Sequence, residues 1–237
     1  MQIMSKLSKR MKKATSLVEA DKLYSLEEAL SILKQYGVDA ATKFNETVDI
    51  AIRLGVDPKH SDQIVRGIVP MPHGLGKKVR VLVFTDSARI KEAEGAGADI
   101  VGDEALIEEV KAGRLDFDVC IATPGIMPKV GVLGKVLGPK GLMPNPKLGT
   151  VTENIEEGVK TFKAGQVEYK VEKAGLVHAG VGKLNFSLND LKDNILALYN
   201  AVLGAKPSGA KGVYMRKMYI SSTMGPAIPI DLKAMLS

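Results

Sequence analysis

Residues 79–122 read VRVLVFTDSARIKEAEGAGADIVGDEALIEEVKAGRLDFDVCIA, and apolar and helical segments take turns along them. Val79 to Phe84 is short, apolar and rich in β-branched residues, which suits a strand. Ser87 to Glu94 has helical character, and Asp99–Val101 reads as a second strand. Glu104 to Lys111 is again helical, Phe117 to Ala122 forms a third strand, and Glu153 to Phe162 adds a helix. Strands joined through helices imply a parallel sheet with right-handed crossovers.

Such a unit invites a test for nucleotide motifs, and they fail. A dinucleotide fingerprint needs G-x-G-x-x-G directly after the first strand. Gly95-Ala96-Gly97 instead follows a helix, and Ile100 stands at the third glycine position, so the pair reads as a helix stop. A phosphate loop needs G-x-x-x-x-G-K-[ST]. Gly134-Lys135 has Lys129 five positions earlier and Val136 after it. The tract that holds it, Gly131 to Gly149 (GVLGKVLGPKGLMPNPKLG), carries five Gly, three Pro, three Lys and no acid. It is read either as a surface loop or as backbone N–H groups presented to an anion beside Lys135, Lys140 and Lys147.

The flanks follow another pattern. Ser25 to Tyr36 predicts an amphipathic helix with Leu26, Leu30 and Leu33 on one side and Gly37 as its stop. Val48, Ile50, Ile52 and Leu54 alternate with Asp49, Ala51, Arg53 and Gly55, as in a strand with one buried face. Gln166 to Glu172 looks extended. Ser187 to Leu203 predicts a helix with a Ser187/Asp190 capping box, and Val213 to Ser222 a closing strand. Neither flank has enough elements for a core alone. The expected fold class is therefore mixed α/β and α+β in two domains: a discontinuous α+β domain from residues 1–73 and 164–237, and an inserted parallel α/β domain at 74–163. Hinges are expected near Pro72–Gly76 and Ala164–Gly165.

Charge divides along the same lines. The chain of 237 residues holds 33 basic and 27 acidic residues, and residues 74–163 hold 13 of each, so the net +6 lies entirely in the flanks. Lys6, Lys9, Arg10, Lys12 and Lys13 precede the first acid. This distribution points to a polyanionic partner. No apolar run is long enough for a membrane span, and no secretory signal is expected at the N-terminus. The lone Cys120 lies in an apolar run and reads as buried and inert.

Enzymatic candidates are thin. His60, His73 and His178 lack metal-ligand spacing, Asp116 and Asp118 look like a solvated strand edge, and no G-x-S-x-G elbow occurs. No catalytic residue, metal or cofactor is expected. Nucleic-acid candidates are better. Lys43-Phe44-Asn45-Glu46-Thr47 sets an aromatic beside a cation just before the alternating strand. Ser221-Ser222-Thr223-Met224-Gly225-Pro226 offers hydroxyls and a glycine just after the closing strand. These suit phosphate, 2′-hydroxyl and base contacts. With 5% aromatic residues and no RRM signature, shape and backbone readout is expected rather than a stacking platform.

Four segments also carry a resemblance: VGVLGKVLGPKGLMPNPKLGTV (130–151), KFNETVDIAIRLGVDPKHSDQIVRG (43–67), PHGLGKKV (72–79) and SSTMGP (221–226). Together, and in their order along the chain, they resemble the bacterial ribosomal protein L-one family, from about Ser5 to Ile230. The resemblance implies that the discontinuous domain is an α+β sandwich and the inserted one a Rossmann-like α/β domain without a nucleotide, in a cytoplasmic protein of the large ribosomal subunit, monomeric when free, that binds the stalk region of the large-subunit rRNA and other subunit components. It also implies a part in release of deacylated tRNA from the exit site, and repression of its own operon through the mRNA. It carries an RNA-binding role to Lys43, Phe44, Thr47, Lys170, Glu172, Lys173, Ser221, Thr223, Met224 and Gly225. A secondary RNA or tRNA surface falls on Lys135, Lys140 and Lys147. Lys170, Glu172 and Asn45 depart from the Arg, Asp and Asp of many relatives. A nucleotide-using α/β enzyme and a repressor that never enters the ribosome are the rival readings.

Overall fold

The computed structural model describes residues 8–19, 22–40, 42–146 and 149–235. The chain divides into two compact units, Met1–Gly76 with Val167–Ser237, and Lys77–Gln166.

The split unit is organised by β1 (Thr47–Leu54), whose alternation buries Val48, Ile50, Ile52 and Leu54 on one side. β1 pairs antiparallel with β7 (Leu176–Lys183) and with β8 (Met215–Ser222), and β9 (Ile228–Ile230) closes the sheet in the order β7-β1-β8-β9. A second sheet joins β2 (Arg66–Pro70) to β6 (Gln166–Lys170). Helices cover one face of the four-stranded sheet. α2 (Leu26–Asp39) starts at a Ser25/Glu28 capping box, and α8 (Leu188–Gly204) at a Ser187/Asp190 box. Each box satisfies two N–H groups that a helix start leaves open. Leu30 and Leu33 of α2, and Leu191, Ile195, Leu198 and Val202 of α8, join the strand residues in one core.

α2 does not stop at Gly37; it continues to Asp39. The glycine serves packing instead, because a Cβ there would lie 2.7 Å from Leu184 Cδ2. The basic N-terminus also gains structure: α1 (Lys9–Ser16) is capped by Ser8 and buries Ala14 against Tyr36 and Ala40.

In the second unit, β3 (Val81–Phe84) lies between β4 (Ile100–Gly102) and β5 (Val119–Ala122), both parallel to it. α3 (Ile90–Gly95) and α7 (Ile155–Gly165) pack together and touch the sheet, while α4 (Glu104–Lys111) supplies Leu106, Ile107 and Val110 to a separate core. That core also takes in the first half of the Gly/Pro/Lys tract. Short helices α5 (Met127–Val130) and α6 (Gly134–Leu137) flank a 3-10 turn, and Leu133 and Leu137 are fully buried. The surface-loop reading thus fails for this half, since the leucines recur four apart and face inward. The later part is hooked by Thr150, whose Oγ1 accepts from Asn145 N–H at 2.7 Å. Cys120 is buried in the same core, which pushes its thiol pKa up and leaves it unreactive.

Thr85 and Thr123 directly follow the paired strand ends Phe84 and Ala122, and both hydroxyls are buried with no partner among the described residues. A buried hydroxyl without a partner costs stability. Thr123→Val should therefore raise the unfolding free energy by about 1 kcal/mol; destabilisation on urea unfolding would show that the hydroxyl is used. Leu137→Ala should cost about 3 kcal/mol in the same measurement, whereas Lys140→Ala, at an exposed position, should stay within about 0.5 kcal/mol.

Candidate functional site

At the N-terminal end of β1, three segments are tied together by hydrogen bonds. Gly225 N–H donates to Ser222 O at 3.0 Å and closes a turn after β8. Thr223 N–H donates to Thr47 O at 3.0 Å, and Thr47 N–H returns a bond to Thr223 Oγ1 at 3.0 Å. Glu46, 2% exposed, accepts Met224 N–H at 2.9 Å on Oε2 and the Tyr36 hydroxyl at 3.4 Å on Oε1. Burial first, and then the neighbouring Glu46 charge, raise the Tyr36 pKa and hold the phenol as a donor. On the other flank, Lys183 Nζ donates to Thr47 Oγ1 at 2.8 Å, and Leu184 N–H donates to Glu46 O at 2.9 Å.

This backbone turn has no room for a side chain at Gly225. A Cβ there would sit 2.4 Å from Ser222 Oγ and 3.2 Å from the Tyr36 ring. The packing below leaves two apolar side chains outside: Phe44 is 54% exposed and Met224 43% exposed. Lys43 and Thr223 are exposed beside them, while Thr47 and Ser221 are half-buried. An apolar pair with a cation and a hydroxyl, on a fixed backbone, can contact sugar, base and phosphate together.

Lys170, Glu172 and Lys173 lie elsewhere. Lys170 ends β6, and Glu172 and Lys173 sit in the connection to β7, all three exposed. Glu172 N–H donates to Leu176 O, and Leu54 N–H donates to Gly175 O, both at 2.8 Å. This cluster is therefore tied to the C-terminal end of β1. Eight residues of strand span about 25 Å, so the sequence-predicted residues of this unit form two clusters at opposite ends of one strand.

Between them runs the uncovered face of the sheet. Asp49, Ala51 and Arg53 of β1 stand opposite Ser221, Tyr219 and Lys217 of β8, and opposite Gly180, His178 and Leu176 of β7. Arg53, His178 and Lys217 are exposed, and Lys183 lies at the Thr47 end. Sequence reasoning gave none of these four basic side chains an RNA-binding role. Alternation places Arg53 opposite the buried set, but only the register brings it beside Lys217. Asp49 is the one acid among these facing positions. Burial raises its pKa, against the opposing pull of Lys183 and His178.

In the second unit Lys135 and Lys140 are exposed at and just after α6, and Lys147 lies outside the described residues. Asp116 and Asp118 are each committed to cations. Asp118 accepts from Lys77 Nζ at 2.7 Å and from Arg80 N–H at 3.1 Å, which lower its pKa. Arg114 engages Asp116 at 3.2 Å. His73 sits between Asp190 at 3.6 Å and Asp193 at 3.0 Å, with its backbone N–H on Asn194 Oδ1. Among the described residues no group of three His, Cys, Asp or Glu side chains gathers as a metal site, and no helix is long and apolar enough to cross a membrane.

The family model described as ribosomal protein L1p/L10e matches residues 33–226, from α2 through the second unit to the turn after β8. That match covers most of the chain, including both ends of β1 and the Gly/Pro/Lys tract. The chain belongs to the ribosomal protein L1p/L10e family, whose members are rRNA-binding constituents of the large ribosomal subunit rather than enzymes.

Proposed function

We propose that the split unit binds the stalk region of the large-subunit rRNA across the open face of its four-stranded sheet. The observation that carries this reading is the placement of two candidate clusters at opposite ends of β1, with Arg53, His178, Lys183 and Lys217 around the face between them. An RNA that reaches both clusters must cross that face. Phosphates meet the basic side chains, and the Thr223–Gly225 turn with Phe44 supplies shape-specific contacts. In this reading the residues that touch RNA are Lys43, Phe44, Thr47, Lys170, Glu172, Lys173, Ser221, Thr223, Met224 and Gly225, together with the four basic residues.

The finer roles rest on the same site. As part of the stalk, the protein assists release of deacylated tRNA from the exit site, with Lys135, Lys140 and Lys147 as the tRNA-facing surface. An mRNA element of its own operon that imitates the rRNA competes for the sheet face, which gives repression. The free protein is monomeric. Residues 1–73 and 164–237 form one folding domain around an inserted domain at 74–163, and joining the flanks directly leaves an RNA-binding protein.

Binding to a stalk rRNA fragment should weaken steeply with salt, because neutralised phosphates release counterions. Thr223→Ala or Met224→Ala should each cost about 1–3 kcal/mol of RNA affinity while the far-UV spectrum stays unchanged. Unaltered affinity in both would remove the turn from the interface.

Asp49 gives a pH test. A phosphate brought near its carboxylate favours the protonated form, so binding takes up a proton. Affinity should rise as pH falls through the window from the still higher pKa of Asp49 in the complex down to its already raised pKa in the free protein, and level off below that. Asp49→Asn should bind more tightly at neutral pH and lose that pH dependence. Both arms carry His178→Gln, so that imidazole titration does not contribute. Equal pH profiles in the two proteins would place the RNA away from Asp49.

A further inference from the structure

Beside Phe44 a cleft of about 340 Å³ opens between the last turns of α2, residues 42–46 and the segment after β7. Val38 is 80% exposed and Phe44 54% exposed, so two apolar side chains flank the opening. Leu184 lines it as well, packed onto Gly37 where any Cβ would collide with it. Lys34 fixes this segment by donating to the carbonyls of Leu184 and Phe186. Burial lowers the pKa of that ammonium, and its donors are directed into the protein.

Two side-chain amides, Asn45 and Asn185, complete the lining, and neither has a side-chain partner among the described residues. Each offers a donor and an acceptor. Glu46 also lines the cleft, with both its oxygens occupied by Tyr36 and Met224. A carboxylate at that place disfavours an anionic guest. The cleft therefore suits a neutral, planar group with hydrogen-bonding edges, while Lys43 next to Phe44 stays outside for a phosphate.

We propose that this cleft receives one nucleobase swung out of the bound RNA, packed against Phe44 and Val38 and read at its edge by Asn45 and Asn185. The inference rests on the RNA-binding reading above and adds base recognition to it. Unstacked bases of loops and bulges are recognised in this way, by an apolar or aromatic surface and amide groups on the base edge. Glu46 both lines the cleft and holds the Met224 amide, so a strand that contacts that turn has the cleft one residue away.

The test uses the full chain and a stalk rRNA fragment in which each unpaired nucleotide is replaced in turn by an abasic one. One position should lose about ten- to hundredfold in affinity. Val38→Trp, which fills the cleft from an exposed site, should bring the intact RNA down to the affinity of that abasic RNA. The Asn45→Ala and Asn185→Ala double variant should flatten discrimination among the four bases at that position and leave the affinity for the abasic RNA unchanged. If the intact RNA binds tightly but no abasic position matters, or if Val38→Trp binds like the wild type, the cleft is no base site. Failure of the wild-type chain to bind any stalk RNA would instead overturn the RNA-binding reading itself.

Discussion

A single buried carboxylate holds the business end of the split unit together. Glu46 stands just before β1 and reaches in two directions, to the Met224 amide after β8 and to the Tyr36 hydroxyl on α2. Its own carbonyl accepts Leu184 N–H from the segment after β7. One residue therefore joins a helix and three strand ends. Charge-assisted hydrogen bonds of this kind are stronger than neutral ones, and a buried carboxylate is tolerated only when its oxygens are so engaged. The arrangement fixes the turn before any partner arrives, so little backbone ordering is left to oppose binding.

Around this anchor the unit separates support from contact. Val48, Ile50, Ile52 and Leu54 of β1 belong to the core, while Asp49, Ala51 and Arg53 look the other way. The strand's period of two does this with no loop involved. The second unit keeps its apolar residues on both sides of a parallel sheet and leaves Lys135 and Lys140 outside. It carries no net formal charge, so the electrostatic attraction for a polyanion falls on the split unit.

Much of this was legible in the residues. The capping residues Ser25 and Ser187, the alternation of β1 and the strand–helix rhythm of 79–122 are local signals, and they produced the corresponding elements within a few positions. What failed were inferences about glycine. Gly37 looked like a stop but serves close packing against Leu184, and Gly131 and Gly134 occur within short helical turns, with Gly138 as a C-cap, rather than in an open loop. β7 went unseen because Gly180 and Gly182 dilute its apolar pattern, although Gly180 packs beside Asp49 and Thr47. Lys43, Phe44 and the 221–226 turn were singled out from residue type alone, and the structure places both segments at one end of β1. Glu46 could not be assigned its role, because a carboxylate near a strand start looks like surface charge until Tyr36 and Met224 are brought to it.

The pairing of β1 has a consequence for the timing of folding. Both of its neighbours, β7 and β8, emerge long after it during synthesis, and the continuous unit 77–166 is completed in between. Long-range strand pairing is slow because loop closure precedes its reward, and domains tend to fold as units while the chain emerges. β7 can cover one edge of β1, but the other stays open until Met215–Ser222 arrives and the residues after it, Thr223 and Met224, dock on Thr47 and Glu46. A chain truncated before β8 has no Thr223–Gly225 turn to offer. The sheet thus acts as an order check: only a chain made as far as Gly225 presents the surface by which it would join an assembly.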